Sequence, residues 1–248
     1  MRKTTGYLLH PSIPLDSGSS ELKIADIGTG TGVWLLELAE ELPSSYQLHG
    51  FDVSSAGFSD QSWLPDNVSF RALNAFEPPP KELWGQYDIV HIRLFVMVIE
   101  EDPIPVIDHC MKLLKPGGHL QWDELNLSDL EIVKSKPDVS TESLQRMVDN
   151  AKTHSSQKWV PQLPTTLTQS GFDKPTVSYH KPPPCYRKMW MEADTVATES
   201  LAANVADANG PLGPSEALKA LAKGCHKETQ QGAAIVKMYQ VVTARKPL

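Results

Sequence analysis

The run from Leu22 to Gly32 constrains the fold of this chain more than any other part of the sequence. It reads LKIADIGTGTG, so a short apolar stretch ends at Asp26 and leads into Gly28, Gly30 and Gly32. Apolar residues then recur at helical spacing, at Leu35, Leu38, Ala39 and Leu42. Strand, glycine turn and helix in this order predict a nucleotide-binding βα unit, because glycine lets the backbone bend tightly and approach a ligand closely.

The spacing of the glycines and the acidic residue before them favour S-adenosylmethionine (SAM) over a dinucleotide. The dinucleotide fingerprint is G-x-G-x-x-G, whereas this chain has G-x-G-x-G, with Val33 in place of the third dinucleotide glycine. Asp26 would repel a pyrophosphate, but it would attract the ammonium group of SAM, which carries no phosphate. An NAD-dependent reductase is the weaker alternative, and a glycine turn that only joins a strand to a helix is another.

The second predicted strand, Gln47–Val53, ends in a carboxylate that suits a nucleoside. Asp52 lies 20 residues after Gly32, where a Rossmann-like unit places the acidic group that binds two ribose hydroxyls. Both SAM and NAD contain that ribose, so Asp52 supports the fold without selecting the cofactor. Capping of the following turn is the alternative role of this carboxylate.

The fourth predicted strand, Tyr87–Ile92, is an apolar run typical of a central parallel strand. His91 and Arg93 stand at its carboxyl end, where open α/β sheets bind their ligands. These polar groups either bond to neighbouring backbone or face the reacting pocket, and their position favours the pocket. Asp102 and Pro103 then predict the start of a helix, as its N-cap and first residue.

The fifth predicted strand, His119–Trp122, is followed at once by Asp123 and Glu124. Alternation along a strand puts Gln121 and Asp123 on one face, and it puts Trp122 and Glu124 on the other. Carboxylates just beyond the end of a strand suit the binding of an amine substrate or the removal of its proton. Capping of the next segment is the alternative role for both carboxylates.

Four segments in order, DIGTGTG, GFDVS, YDIVHIRLF and LLKPGGHLQWDE, resemble the small fungal methyltransferases of secondary-metabolite clusters. The chain is similar to the gliotoxin-pathway N-methyltransferase and to the velvet-complex regulator relatives, within the class I SAM-dependent methyltransferases. The resemblance covers residues 8–124. It implies an α/β fold with a Rossmann-like, mostly parallel seven-stranded sheet, an antiparallel edge strand, helices on both faces and a helical lid insertion.

The resemblance also implies SAM as the cofactor and a set of positions that bind it. These positions are Asp26, Gly28, Thr29, Gly30, Gly32, Asp52, Val53, Asn74, Ala75 and His91. Asp26 and the glycine loop would bind the methionine part, and Asp52 would bind the ribose. Asn74 with Ala75 would bind the adenine, although the family often has an acidic residue at the position of Asn74, whose amide oxygen can accept the same hydrogen bond.

The composition of the chain limits the classes of partner and the cellular compartment that we expect for the protein. The net charge is −7 over 248 residues with no basic stripe, which predicts a small-molecule substrate and no nucleic acid. The cysteines, Cys110, Cys185 and Cys225, are far apart, show no metal spacing and indicate a reducing compartment. The sequence has no apolar stretch long enough for a membrane span or a signal peptide, so we expect a cytoplasmic protein, with its oligomeric state open.

Residues 1–20 precede the glycine stretch and are punctuated by Pro11, Pro14 and Gly18. They are either a loose terminus or a flap over the cofactor, with Tyr7 or His10 facing a substrate. Residues 21–248 are predicted to form one methyltransferase domain.

The second half of the sequence predicts an insertion between the last two strands of the sheet. The predicted elements are helices over 141–155, 164–170, 186–206 and 215–223 and strands over 176–180 and 234–244. An insertion over about 182–231 is long for a connection and suggests a functional lid. Tyr186 and Trp190 of this insertion either line a substrate pocket or pack in a core. We also expect Trp122, which lies outside the insertion, to contact the substrate.

The predicted function is transfer of a methyl group from SAM to an oxygen or nitrogen atom of a small natural-product-like substrate. The sulfonium leaving group is already activated, so catalysis requires no metal and depends on positioning and desolvation. A hydroxyl needs a base, for which His91 is the first candidate, followed by Glu124 and Asp123. Arg93 would bind a substrate carboxylate or phenolate.

Two other classes of function remain open. One is a SAM-bound catalyst that steers a cyclisation or pericyclic step without transferring the methyl group. The other is a non-enzymatic regulator that retains the fold for partner binding, which a degraded glycine motif would favour.

Overall fold

The computed structural model describes residues 2–15, 21–154, 158–204 and 214–248. The chain forms two compact units. The first comprises Met1–Leu125, Ser156–Tyr179 and Tyr239–Leu248, and the second comprises Asn126–Ser155 and His180–Met238. The segment expected as a lid, residues 182–231, lies in the second unit, and its role as a lid stays a prediction.

Seven α-helices and seven strands are present among the described residues. In chain order they are α1 (Arg2–Thr5), β1 (Lys23–Ile27), α2 (Val33–Glu41), β2 (Gln47–Asp52), β3 (Val68–Ala72), β4 (Tyr87–Arg93), α3 (Ile104–Leu113), β5 (Leu114–Lys134), α4 (Glu142–His154), α5 (Trp159–Gln169), β6 (Asp173–His180), α6 (Arg187–Asn204), α7 (Pro214–Gln230) and β7 (Ala233–Arg245). None of the described helices is long and apolar enough to cross a membrane.

The strands form one sheet in the order β3-β2-β1-β4-β5-β7-β6. The first five strands in this order are parallel to their neighbours, and the sheet has antiparallel strands at its other edge. In the first unit, helices cover both faces, because Trp34 of α2 stacks on His91 and Trp159 of α5 packs against Trp122. The predicted fold class is confirmed.

The amino-terminal segment is part of the core of the first unit. Leu8 and Ile13 are 3% and 4% exposed and pack in one cluster with Trp34, Leu38 and Leu48. Residues 2–15 are therefore packed on the sheet rather than loose. The remainder of the expected flap, residue 1 and residues 16–20, lies outside the described residues.

Strand β5 is much longer than the sequence predicts. It runs over Leu114–Lys134, so Asp123 and Glu124 lie inside the strand, and their predicted place beyond its end is wrong. The sequence Lys115-Pro116-Gly117-Gly118 is of a kind that commonly ends a helix and separates it from a following strand. The sheet instead absorbs it through a register shift opposite Tyr87 and Ile89, because an irregular pair can accommodate residues that would otherwise end a strand.

The second unit has its own core, which includes Leu144 of α4, Met191 of α6 and Cys225 of α7. Helix α7 continues to Gln230, beyond the predicted end at residue 223. The physical reason is packing of Gly224 against α4, since a Cβ at this position would lie 2.2 Å from Ser143 Oγ. The glycine permits close approach of two helices here and does not end one.

We predict that two glycines of the same loop respond very differently to alanine. At Gly32, φ is +76° and a new Cβ would lie 2.1 Å from Phe70 Cζ, whereas at Gly30, φ is +58° and nothing lies within 4 Å. Gly30→Ala should cost about 1–2 kcal/mol of unfolding free energy through its left-handed backbone alone. Gly32→Ala should cost about 3 kcal/mol or more, since overpacking is added.

Urea denaturation of the two variants measures this difference. Equal losses would show that the ring of Phe70 moves aside without cost and that Gly32 is required only for its backbone conformation.

Candidate functional site

A cavity of about 320 Å³ opens at the carboxyl ends of β1, β2, β3 and β4 in the first unit. Its wall contains the predicted residues Gly28, Asp52, Val53, Asn74, Ala75 and Arg93, together with Leu73, Phe76, Leu94, Phe95 and Val98. Two other cavities, of about 310 and 430 Å³, lie near the amino ends of the strands and contain none of the predicted site residues. The first cavity is therefore the candidate site.

The glycine loop between β1 and α2 forms one side of the cavity through Gly28. Two hydrogen bonds to β2 fix the backbone of the loop, because the amides of Gly28 and Thr29 both donate to Phe51 O, at 2.8 and 2.9 Å. Gly28 has φ +70°, and a Cβ there would lie 2.3 Å from Phe95 Cε2. This glycine is thus required both by the turn and by the close approach of an aromatic ring.

Asp52 joins the cavity wall to the glycine loop. Its Oδ2 accepts a hydrogen bond from Gly30 N at 2.9 Å, and its Oδ1 accepts from Ser54 N at 3.2 Å. Each carboxylate oxygen can accept a further hydrogen bond. The side chain therefore caps the turn, as the alternative prediction states, and also retains acceptor capacity towards a ligand hydroxyl.

Two hydrogen bonds hold the side chain of Asn74, which also belongs to the cavity wall. Its Oδ1 accepts from Phe76 N at 3.0 Å, and its Nδ2 donates to Glu77 Oε1 at 2.9 Å. These contacts assign the orientation of the amide and leave the oxygen one lone pair.

The chemistry of the wall fits the nucleoside part of SAM. A carboxylate with free acceptor capacity suits ribose hydroxyls, an amide oxygen suits an exocyclic amine, and apolar side chains suit a flat base. The apolar contribution comes from Val53, Leu73 and Phe76. Asp52 and Asn74 stand among these apolar residues as the polar groups that would fix the orientation of the ligand.

Leu94 and Phe95 also belong to the cavity wall, although neither is among the residues predicted from the sequence. Leu94 has φ +60°, an uncommon conformation for a branched residue, and its amide donates to Asp123 O at 2.9 Å. The only signal for these residues is their position directly after β4, at the end of a parallel strand where ligands bind.

His91 and Asp26 lie beside each other beneath the loop and are not in the cavity wall. His91 is fully buried, with its Nδ1 2.7 Å from Asp26 Oδ1 and its Nε2 3.4 Å from Asp123 Oδ2. Burial lowers the pKa of His91, but hydrogen bonds and charge from Asp123 and Asp26 outweigh burial and raise it. The imidazole is therefore enclosed between two carboxylates, and the structure does not bring it to the candidate site as the predicted base.

Gln121 connects Asp123 to the amino-terminal segment. Its Nε2 donates to Asp123 Oδ1 and to Leu8 O, each at 3.0 Å, and its Oε1 accepts from His10 N at 2.7 Å. The predicted substrate residues of this segment also bond within the first unit: Tyr7 Oη lies 3.2 Å from Ser178 Oγ, and His10 Nδ1 lies 2.7 Å from Ser12 Oγ. Neither residue lines the cavity.

Glu124 and Trp122 are buried on the other face of β5. Trp122 Nε1 donates to Glu124 Oε2 at 3.2 Å, and both side chains are 0% exposed. Backbone amides of Leu125, Val96 and Phe95 also donate to Glu124, so this carboxylate fixes the turn that carries Phe95. The Trp122 indole packs against Trp159 and Phe95 and does not line the cavity, and its contact with a substrate stays a prediction.

The remaining predicted residues are distributed as follows. Thr29, Gly30 and Gly32 belong to the glycine loop but do not line the cavity. Tyr186, at the end of a short turn, and Trp190, in α6, belong to the second unit and are partly exposed. Their contact with a substrate stays a prediction.

Part of the chain is similar to known proteins. Residues 25–120 match the family model described as a methyltransferase domain. Methyltransferase grgD of a Penicillium species is 41% identical over 127 residues, which cover 48% of this chain and 43% of grgD. N-methyltransferase tcpN of Claviceps purpurea is 30% identical over 116 residues, which cover 46% of this chain and 41% of tcpN. The chain spans about two fifths of the length of these curated relatives.

The fold is also similar to solved structures. The cyclase SpnF aligns with a TM-score of 0.56 and 20% identity, covering 92% of this chain and 75% of that protein. At this identity the likeness concerns the fold alone.

We predict that Glu124 makes the stability of the protein depend on pH. Burial raises the pKa of Glu124 from 4.5 to about 7, against the opposing effect of its hydrogen bonds. The folded state therefore holds this proton more tightly than the unfolded state, so the group's contribution to stability is present below pH 4.5 and is lost as the pH rises through 7. The loss amounts to roughly 3 kcal/mol.

Unfolding free energies of the protein and of Glu124→Gln between about pH 5 and pH 8 test this prediction. Relative to the natural protein, the variant should have a lower unfolding free energy at the acidic end of this range. The difference should become smaller towards the alkaline end. A difference that is the same at every pH would contradict the assignment.

Proposed function

We propose that this chain, which carries a class I SAM-dependent methyltransferase domain of the fungal secondary-metabolite type, transfers a methyl group to a small natural-product-like molecule. The observation that supports this most directly is the cavity at the carboxyl ends of the parallel strands, with Gly28, Asp52 and Asn74 in its wall. We further propose that the acceptor is a nitrogen or oxygen atom, with nitrogen favoured.

In this proposal the cavity wall holds the nucleoside of the cofactor. Asp52 accepts hydrogen bonds from the ribose hydroxyls, and Asn74 with Ala75 meets the edge of the adenine. Val53, Leu73 and Phe76 cover the faces of the base, since flat aromatic groups gain from apolar contact. Bound SAM supplies an electrophilic methyl group on a sulfonium that leaves as a neutral thioether.

The residues after β4 would then position the acceptor. Arg93 and Leu94 lie in the same wall, and Arg93 is half-buried, so its guanidinium can hold a carboxylate or phenolate of the substrate. Phe95 closes the wall against Gly28 and excludes water from the reacting atoms. Positioning and desolvation of this kind account for most of the rate in a displacement whose leaving group is already activated.

The placement of the candidate bases favours an amine acceptor. Of the ionisable side chains in the wall, Asp52 is assigned to the ribose and Arg93 cannot accept a proton. His91 and Glu124 are fully buried and bonded to other groups, whereas a general base must reach the proton that it removes. A neutral amine needs only its free electron pair, and it can lose its proton to water after transfer. The relative tcpN is likewise named an N-methyltransferase.

The charge and the cysteines of the chain also bear on its partners and its location. We propose a small-molecule substrate rather than a nucleic acid, from the net charge of −7, and a cytoplasmic location, from the scattered cysteines.

We predict that Asp52→Asn weakens SAM binding about tenfold or more, because the ribose hydroxyls lose a charged acceptor. Asp60→Asn is the matched control, since Asp60 also caps a turn two residues on, through Ser62 N, but lies outside the cavity wall. Isothermal titration with SAM should show the loss only for Asp52→Asn. Equal affinity of both variants would remove Asp52 from the cofactor site.

We also predict that incubation with SAM and a panel of small amines gives a product heavier by one methyl group. Mass spectrometry of the products, with phenols and carboxylic acids as parallel acceptors, measures this. A substrate that is consumed without any gain in mass, while SAM remains intact, would contradict transfer and support the cyclase alternative.

A further inference from the structure

A row of buried polar side chains crosses three neighbouring strands of the first unit, and the proposed chemistry uses none of them directly. The parallel register pairs Asp26 of β1 with His91 of β4, and His91 with Gln121 of β5. Asp123 lies two residues after Gln121 on the same face. We call these four residues the buried row; each is between 0% and 3% exposed.

The buried row is continuous, since each member bonds to the next. His91 bridges the carboxylates of Asp26 and Asp123 through its two ring nitrogens, and Gln121 Nε2 donates to the second oxygen of Asp123. Both ring nitrogens can donate at once when the imidazole is protonated. Leaving a member of such a chain without its partner costs the desolvation of a buried polar group, so the members favour one shared arrangement.

One end of the buried row holds the amino-terminal segment, residues 7–13. Gln121 bonds to the backbone on both sides of Leu9, through Leu8 O and His10 N. These are hydrogen bonds to a specific piece of backbone, whereas the packing of Leu8 and Ile13 in the core is not directional. The amide side chain therefore fixes where the segment lies along β5.

The other end of the row holds the glycine loop from both sides. Asp26 lies two residues before Gly28, in the strand that enters the loop. Trp34 is the second residue of α2, the helix that leaves the loop, and its indole stacks on the His91 imidazole at 3.7 Å between centroids and 6° between planes. His91 thus contacts one residue before the glycines, Asp26, and one residue after them, Trp34.

We propose that Gln121, Asp123 and His91 are positioning residues that couple the docking of residues 7–13 to cofactor binding by the glycine loop. This inference rests on the proposed function, since it takes SAM as the ligand of the loop. The coupling is reciprocal by thermodynamic necessity. A docked segment raises the affinity for SAM, and bound SAM holds the segment more tightly in place.

The test compares two identical substitutions at fully buried glutamines. Gln121→Met removes the link between Asp123 and the segment, whereas Gln240→Met removes a single hydrogen bond to Val160 O elsewhere in the same unit. We expect Gln121→Met to weaken SAM binding about fivefold or more by isothermal titration, and Gln240→Met to leave it unchanged. Melting temperatures of both variants report any general loss of stability.

The rate of hydrogen exchange at the His10 amide is the second readout. If the buried row had only a structural role, this rate would not depend on SAM. In the natural protein, SAM should slow exchange at His10, because the segment docks more firmly. In Gln121→Met, exchange should be faster without SAM and should no longer respond to it. The Gln240→Met variant should behave like the natural protein.

Two variants of His91 test the middle of the row. In His91→Asn, the asparagine amide reaches the position of Nδ1 and keeps the link to Asp26. In His91→Gln, the glutamine amide reaches the position of Nε2 and keeps the link to Asp123. Each should weaken SAM binding, since each interrupts the chain once. Adding Gln121→Met to either variant should weaken it little further, because residues of one network are not additive.

Three results would overturn the inference. Failure of the natural protein to bind SAM would refute the proposed function and the coupling with it. Normal SAM binding in the natural protein together with equal affinities of Gln121→Met and Gln240→Met would refute the coupling alone. Additive losses in the double variants would show that His91 and Gln121 act independently.

Discussion

The parallel pairing of β1 with β4 decides where the groups of the first unit's candidate site lie. Because Ile27 stands opposite Ile92, both strands end at the same level, and the glycine loop meets the turn after β4. Gly28 and Phe95 then come so close that no side chain fits between them. The same register sets Asp26 beside His91. This strand pairing therefore brings together one side of the cavity wall and the first two residues of the buried row, and the pairing of β4 with β5 adds Gln121 and Asp123.

Burying the two carboxylates of the row is costly, and the arrangement around them offsets this cost. An unpaired charge removed from water loses several kcal/mol, so Asp26 and Asp123 require partners that stay in place. His91 serves both carboxylates, and Gln121 adds a donor to Asp123. A polar cluster of this kind contributes less to stability than an apolar core of equal size, but it specifies one arrangement of the strands.

The parts of the site that the sequence predicted are those that local spacing determines. Positive φ in the glycine loop and the placement of Asp52 follow from a strand, a tight turn and a fixed count of residues. The roles of Asp123 and Glu124 could not be predicted, because the sheet extends β5 through residues that would end an isolated strand. The left-handed backbone conformation of Leu94 could not be predicted either, because leucine rarely adopts it.

The sequence by itself determined the order of strands and helices along the chain, the glycine loop, and six residues of the cavity wall, including Asp52 and Asn74, because each depends on neighbours a few positions away. Only the tertiary structure decided that His91 faces Asp26, 65 positions earlier in the chain, and not the cavity. Likewise, it decided that Gln121 holds the backbone of Leu8, 113 positions away. Such contacts depend on strand register and on which face of the sheet each side chain occupies, and these emerge only when distant segments pack together.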